Sequence, residues 1–164
     1  MAEQNNQILL ETKDLQKHFP IKDFFGRKKQ AVKAVDGITF QIRKGETFGL
    51  VGESGCGKST LGRTLIRMYE PTGGQIIFDG EDITKLEGAK LQPYHKRMQI
   101  IFQDPYSALD PHHNVEEIIR EPMSLYTNAS KSDIDEQIVE LLKKVGMNMK
   151  ESVLFFLLEV HFLV

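Results

Sequence analysis

The sequence predicts an α/β fold in which a glycine-rich loop joins a strand to a helix. Residues 52–60, GESGCGKST, have the pattern G-x-x-x-x-G-K-[ST], a backbone arrangement that can wrap a phosphate group. The apolar run TFGLV, residues 47–51, precedes the loop and has the composition of a strand. An apolar stripe at near-helical spacing follows it, formed by Leu61, Leu65, Ile66 and Met68. Strand, loop and helix therefore follow in the order that a phosphate-binding loop requires.

The start of the chain predicts a mainly antiparallel sheet. Residues 8–19 and 37–51 are rich in β-branched and aromatic residues with partial alternation, and Gly45 lies where a hairpin turn is expected. Residues 20–36 lie between them and contain a proline, a glycine and the basic run 27–29. This composition indicates an exposed, solvated loop.

Further strands are predicted at QIIFDG, residues 75–80, and at MQIIFQ, residues 98–103, with the polar stretch 81–97 joining them. A helix is predicted after Asn114, because Glu117 stands at the position that completes a capping box. Pro122 is expected to close this helix.

A second helix is predicted to begin at a cap formed by Ser132 and Asp135 and to end at Gly146. Its apolar positions are Ile134, Ile138, Leu141, Leu142 and Val145.

Composition limits the classes of function. The 164 residues carry a formal net charge of -2, so no overall positive field recruits nucleic acid. The single cysteine cannot form an internal disulfide, and the first residues lack the basic start and apolar stretch of a secretory signal. The apolar run 153–164 contains Glu159 and His161 and is shorter than the roughly 20 residues that cross a bilayer. We expect a reducing, cytoplasmic environment and no membrane span.

The loop residues suit the chemistry of a nucleotide. Glycines keep side chains away from the phosphates, and the start of the following helix directs amides and partial positive charge to the same point. Lys58 adds a full charge towards the β and γ phosphates, Ser59 offers a hydroxyl to Mg²⁺, and Thr60 reaches the α phosphate or caps locally. The predicted binding residues are Gly52, Glu53, Ser54, Gly55, Cys56, Gly57, Lys58, Ser59 and Thr60.

The cysteine of the loop and a pair of adjacent histidines can each be interpreted in two ways. Cys56 lies in an electropositive loop that favours a thiolate, but a small packing role is the alternative that we prefer. His112 and His113 are adjacent and so do not share a helix face, which favours solvated loop residues over metal ligands.

Two long blocks carry a family resemblance. Residues 33–83 and 98–122 resemble the ATP-binding subunits of ABC transporters, specifically those of oligopeptide and dipeptide importers, and the likeness covers residues 8 to about 150. It implies an incomplete P-loop NTPase fold of the ABC type: an antiparallel β subdomain, the first part of the nucleotide-binding core and the start of the helical subdomain.

The resemblance also implies site residues. Gln103, in the block IFQDP, takes the place of the glutamine that reaches Mg²⁺ or the attacking water, and an amide oxygen can ligate a metal. Phe19 best matches the aromatic residue that stacks on adenine, with Phe24 and Phe25 as competitors. Residues 104–122 match the helical region that faces the transmembrane subunits.

The resemblance stops near residue 150, so we assign residues 1–150 to the amino-terminal part of an ABC ATP-binding domain and 151–164 to an unmatched apolar tail. The family's Ser-Gly-Gly-Gln signature, its Asp-Glu strand end and its switch histidine do not occur in the 164 residues. Glu159 and His161 match neither of the last two. A truncated or frameshifted gene product explains this pattern, and a tail that folds back as an edge strand is the alternative. We expect weak or absent hydrolysis by this polypeptide alone.

The resulting hypothesis is an energy-coupling subunit that binds ATP and Mg²⁺ at the cytoplasmic face of the membrane. Its implied partners are transmembrane permease subunits and a second ATP-binding subunit, identical or homologous. The alternatives are a fragment with weak nucleotide binding and a P-loop kinase or ATPase without a transport role. The second alternative leaves the IFQDP block unexplained.

Overall fold

The computed structural model describes residues 7–22, 28–104 and 109–147, which fall into two compact units that divide between Ile100 and Ile101. Among the described residues, the first unit holds a sheet, two α-helices and a short 3-10 helix, and the second holds two α-helices. In chain order the elements are β1 (Ile8–Lys22), β2 (Lys28–Arg43), α1 (Lys58–Leu65), β3 (Gly73–Phe78), β4 (Glu81–Asp82), a 3-10 helix (Gly88–Lys90), α2 (Gln92–His95), α3 (Val115–Tyr126) and α4 (Lys131–Lys144).

The sheet has the order β2-β1-β3-β4, and all of its described pairs are antiparallel, as predicted. The predicted loop at 20–36 is wrong at residues 20–22 and 28–36, because β1 and β2 stay paired as far as Lys22 and Lys28. Residues 23–27 lie outside the described part of the chain. Strand β2 lies at the edge of the sheet, where lysines are common in the sequence of a strand. Pairing of β1 with β3 ends at Gln16, so Pro20 lies where its missing N–H faces no third strand.

Two predicted strands are not formed. Gly45 does make a turn, with φ at +78° and a 3.1 Å hydrogen bond from Glu46 N to Arg43 O, but residues 46–51 after it are not a strand. Residues 98–103 are likewise not a strand. A strand needs a neighbour to pair its N–H and C=O groups, and none of the four described strands is hydrogen-bonded to either segment in the sheet. By contrast, the strand predicted in QIIFDG is confirmed as β3.

The core of the first unit joins α1 to the sheet. Leu61 of α1 packs with buried residues from β1, β2 and β3, and with Ile83 just after β4. The helix predicted after the glycine-rich loop is therefore confirmed as α1 and is anchored by its apolar side. It ends at Leu65, so Ile66 and Met68 of the predicted stripe lie beyond it. The buried members are Leu15, Val35, Leu61, Ile76, Phe78 and Ile83.

In the second unit, α3 begins at the predicted capping box. Asn114 Oδ1 accepts from Glu117 N, and Glu117 Oε2 accepts from Asn114 N, both at 2.9 Å. The prediction that Pro122 ends this helix is wrong, because α3 continues to Tyr126. Met123, one residue beyond the proline, packs against the buried cluster of α4, and this burial favours continuation of the helix.

Helix α4 begins two residues earlier than predicted. Its cap is Ser130, whose side chain accepts from Asp133 N at 3.2 Å, so the predicted cap at Ser132 and Asp135 is wrong. Asp135 instead pairs with Arg120 of α3 at 2.5 Å.

Three of the five apolar positions named for α4 form its buried face, and the end of the helix agrees with the prediction. Three apolar residues are buried, Ile134, Ile138 and Leu142, whereas Leu141 and Val145 are exposed. The predicted stop at Gly146 is confirmed, with φ at +76°. Across 7–22, 28–104 and 109–147, no helix combines the length and apolar character needed to cross a bilayer.

Candidate nucleotide-binding site

The glycine-rich loop runs from Gly52 directly into the first turn of α1 at Lys58. Gly55 and Gly57 have φ angles of +81° and +95°, which lie in the left-handed region that glycine adopts without a side-chain clash. A Cβ on Gly57 would lie 2.1 Å from the carbonyl oxygen of Ala34. Strand β2 therefore supports the end of the loop through direct backbone contact.

The start of α1 offers unpaired amides. The first i to i−4 hydrogen bond runs from Leu61 N to Gly57 O at 2.8 Å. The amides of Lys58, Ser59 and Thr60 precede this bond and, as at any helix start, have no acceptor within the helix. Together with the helix dipole they favour an anion at this point.

The Lys58 side chain folds back over the loop. Its ammonium nitrogen donates to Gly52 O at 2.7 Å and to Glu53 O at 2.5 Å, and lies 3.5 Å from Cys56 Sγ. These acceptors are neutral, and hydrogen bonds from an ammonium to a phosphate oxygen are stronger. The charge is therefore already held at the loop, where an anionic ligand can exchange with these contacts.

Small side chains complete the loop. Ser59 is exposed at the first turn of α1, and Thr60 is partly buried, with its carbonyl accepting from Thr64 Oγ1 at 2.7 Å. Cys56 is exposed, and a Cβ on Gly52 would come within 2.8 Å of its sulfur. The thiol therefore lies close to the backbone of Gly52 at the start of the loop.

Phe19 lies on β1 and is partly buried. Its ring meets that of Tyr69 edge to face, with centroids 5.6 Å apart and planes at 88°. The competing candidates Phe24 and Phe25 lie outside the described residues.

The other predicted residues belong to the second unit. Gln103 is exposed at a bend, and His112 and His113 are exposed before α3. Asp110 Oδ1 accepts from His112 N at 2.9 Å, and Asp110 Oδ2 lies 3.9 Å from His113 Nδ1. Residues 52–60 thus form the loop and the first turn of α1 in the first unit. Gln103, His112 and His113 belong to the second unit.

Charged groups pair on the strands that carry Ala34 and Phe19. Asp36 accepts from Lys33 Nζ at 3.0 Å and lies 2.9 Å from His18 Nε2. The Lys33 ammonium, and then the His18 ring, lower the pKa of the Asp36 carboxyl, which therefore stays ionised.

Sequence reasoning missed Ala34 and Tyr69. Ala34 contributes a backbone oxygen, and a side-chain pattern gives no signal for such a contact. Tyr69 follows α1 as an isolated aromatic residue, and its contact with Phe19 depends on a fold that brings residues fifty positions apart together.

A family model and individual relatives agree on the family to which the chain is similar. The sequence model of the ABC transporter family matches residues 35–155. The chain is 47% identical over 150 residues to the oligopeptide transport ATP-binding protein AppF of Bacillus subtilis (strain 168), covering 90% of this chain and 46% of that protein. It is 40% identical over 141 residues to the dipeptide transport ATP-binding protein DppF of Escherichia coli (strain K12), covering 86% and 42%. The chain thus spans less than half the length of these relatives.

Solved structures show a likeness of fold. The ATP-binding cassette MJ0796, solved as a dimer in a post-hydrolysis state bound to ADP and Pi, superposes with a TM-score of 0.70 at 21% identity. The match covers 88% of this chain and 60% of that one. CbiO1 from Clostridium perfringens, part of the ABC transporter complex cbiONQ, superposes with a TM-score of 0.60 at 22% identity, covering 87% of this chain and 52% of that one.

Proposed function

The chain belongs to the ABC transporter family, and from this premise we propose that it acts as the ATP-binding, energy-coupling subunit of a membrane peptide importer. The peptide substrate class follows from its relatives, which are named as oligopeptide and dipeptide transport ATP-binding proteins.

The observation that carries the proposal is the loop that leads into α1. Gly55 and Gly57 adopt left-handed backbone, the amides of the first turn precede the helical hydrogen bonds, and the Lys58 ammonium is held over the loop. Such an arrangement concentrates donors and positive charge on one small volume, which suits a triphosphate. We therefore assign residues 52–60 to the phosphates of ATP.

The residues present fit Mg²⁺ together with a nucleotide. Ser59 is exposed at the first turn of α1, and a hydroxyl oxygen is a hard ligand of the kind that magnesium shares with substrate phosphates. In this proposal Lys58 stabilises charge on the β and γ phosphates, Gln103 senses the γ phosphate and Phe19 stacks on the adenine. Bound magnesium neutralises charge on the phosphates.

The proposed partners are transmembrane permease subunits and a second ATP-binding subunit. Support for the second subunit comes from the MJ0796 cassette, which was solved as a dimer. A peptide importer needs a membrane pore, so we place the protein peripherally at the cytoplasmic face of the membrane.

The test is calorimetric titration of MgATP into folded protein, with Lys58→Ala and Lys85→Ala as a matched pair. Both substitutions remove one lysine charge from the first unit, but Lys85 is an exposed residue away from the loop sequence. We expect Lys58→Ala to weaken binding at least about tenfold, because a charge-assisted hydrogen bond contributes about 1.5–3 kcal/mol. Lys85→Ala should bind as the wild type does. Folded wild-type protein that gives no heat with MgATP contradicts the proposal.

A second candidate is a chain that binds nucleotide weakly and does not hydrolyse it. The observation that favours it is residues 46–51, which lead into the loop without forming a strand. Hydrolysis by the 164 residues alone is expected to be weak, since they lack a Ser-Gly-Gly-Gln signature. Turnover comparable with a complete transporter, lost in Lys58→Ala, contradicts this candidate, whereas turnover retained in that variant indicates a contaminating ATPase.

A further inference from the structure

An aromatic and cationic cluster joins α1 to β1 beside the proposed base-binding residue. The Phe19 ring meets Tyr69 edge to face at 5.6 Å. The Lys17 ammonium lies over both rings, 5.0 Å from the centroid of Phe19 and 5.8 Å from that of Tyr69. On the other side, Arg63 of α1 donates to the Tyr69 hydroxyl at 3.3 Å, with its guanidinium carbon 5.9 Å from the ring centroid.

Hydrogen bonds fix the segment after Tyr69 to β1. Lys17 Nζ donates to Glu70 O at 2.7 Å, His18 N donates to Thr72 Oγ1 at 3.0 Å, and Thr72 N donates to Gln16 O at 2.8 Å. These three contacts involve β1 residues 16–18, immediately before Phe19. The chain that carries Tyr69 is therefore held in register with the chain that carries Phe19.

The same tyrosine is tied to the helix that follows the phosphate loop. The amide of Tyr69 donates to Arg63 O at 3.2 Å, in addition to the side-chain contact with Arg63. One residue thus connects α1, which begins at Lys58, with the ring of Phe19. A rigid link of this kind fixes the separation between the phosphate-binding loop and that ring.

We propose that Tyr69 is a positioning residue for nucleobase recognition, which holds the Phe19 ring in the orientation on which adenine stacks. The inference rests on the proposed function, in which the loop binds the phosphates and Phe19 meets the base. Holding a ring in place before the ligand arrives removes the entropic cost of ordering it on binding, and so raises affinity. The Lys17 ammonium lies over the Phe19 ring, and in this inference the base stacks on the face away from Lys17.

The inference predicts a loss that depends on the base. The interaction free energy of an aromatic pair exceeds what its buried area alone provides. The excess corresponds to about a two- to tenfold change in an equilibrium constant. Tyr69→Leu should therefore weaken MgATP binding about three- to tenfold. It should leave binding of magnesium tripolyphosphate, which has no base, within about twofold. Tyr69→Phe keeps the ring and should bind MgATP nearly as the wild type does.

The experiment titrates the full chain with MgATP and with magnesium tripolyphosphate. The variants are Tyr69→Leu, Tyr69→Phe, Phe19→Ala and the double variant Phe19→Ala with Tyr69→Leu. Tyr94→Leu is the matched control, because Tyr94 forms a similar edge-to-face pair with Phe78, at 6.3 Å, elsewhere in the first unit. Binding of tripolyphosphate also reports that the loop is folded in each variant.

In the double variant, loss of Tyr69 should have no further effect once Phe19 is gone, because positioning has nothing left to act on. Additive losses contradict the inference, as does an equal loss for tripolyphosphate, which indicates a general structural role. Unchanged MgATP affinity in Phe19→Ala or in Tyr69→Leu also contradicts it. If the folded wild type binds neither ligand, the proposed function fails, and the inference fails with it.

Discussion

The contact between the phosphate-binding loop and β2 predicts that two glycines of one loop respond differently to the same substitution. Gly55 and Gly57 both have left-handed φ angles, +81° and +95°. An added Cβ meets nothing within 4 Å at Gly55, but at Gly57 it would lie 2.1 Å from the Ala34 carbonyl oxygen. That is about 0.9 Å inside the 3.0 Å limit that real Cβ contacts respect. Gly57→Ala therefore forces the loop or β2 to move, whereas Gly55→Ala does not.

The losses of stability expected for the two variants follow from the left-handed backbone and from the clash with Ala34. A left-handed conformation costs an L-residue other than glycine roughly 1–2 kcal/mol, and this applies to both variants. Gly57→Ala adds the displacement of packed backbone, for which overpacking gives about 1–3 kcal/mol. With a urea m-value of about 1–3 kcal/mol per M, the unfolding midpoint of Gly57→Ala should fall about 1 M below that of Gly55→Ala.

Urea unfolding followed by far-ultraviolet circular dichroism measures the two midpoints, and MgATP titration measures the effect on the loop. Gly57→Ala should also bind MgATP more weakly, because the displaced backbone no longer presents the amides at the start of α1 in the same place. Equal midpoints for the two variants would refute the reasoning, since the clash with β2 is then absent in solution.

Three further predictions concern the helix cap, a surface carboxylate and the thiol. Ser130→Ala should lower the free energy of unfolding by about 0.5–2 kcal/mol, because it removes the helix cap. Ser132→Ala should change that free energy by less than about 0.5 kcal/mol. Equal losses for the two variants in urea unfolding contradict the cap at Ser130. Lys44, and then Arg97, lower the pKa of Asp79 below 3.8, so its stabilisation is present above that pH and is lost as the pH falls through the lowered pKa. Midpoints of wild type and Asp79→Asn, measured from about pH 6 to about pH 2, should converge at the acid end, and a constant difference contradicts this. Saturating MgATP should slow alkylation of Cys56 by iodoacetamide, whereas equal rates place the thiol away from the phosphates.

Local signals in the sequence predicted several elements well. The capping box of Asn114 and Glu117 is formed as predicted, because both partners lie within one turn. Helix α1 follows its loop, since Leu61 is at the position that faces the sheet. The antiparallel pairing of β1 with residues 37–43 of β2 agrees with the prediction, whereas residues 28–36 of β2 were predicted as a loop. In these cases interactions between residues close in sequence determine the local structure.

Other features depend on distant residues. Two S-x-x-D patterns compete at the start of α4, and the ion pair of Asp135 with Arg120 accompanies the choice of Ser130 as the cap. Residues 46–51 have strand composition but pair with none of the described strands in the sheet. Within the candidate site, the glycines, Lys58 and Ser59 could be predicted from the motif. The Ala34 and Tyr69 contacts could not, because they arise from the tertiary fold.

The segment before the loop has a practical consequence. Phe48, Leu50 and Val51 remain 45%, 48% and 91% exposed, on backbone that is not in the sheet. Exposed apolar residues on backbone outside a sheet favour association with a similar segment of another molecule. Solutions of this chain should therefore scatter light increasingly as they are concentrated, and equilibrium measurements on it are best made at the lowest concentration that gives a signal.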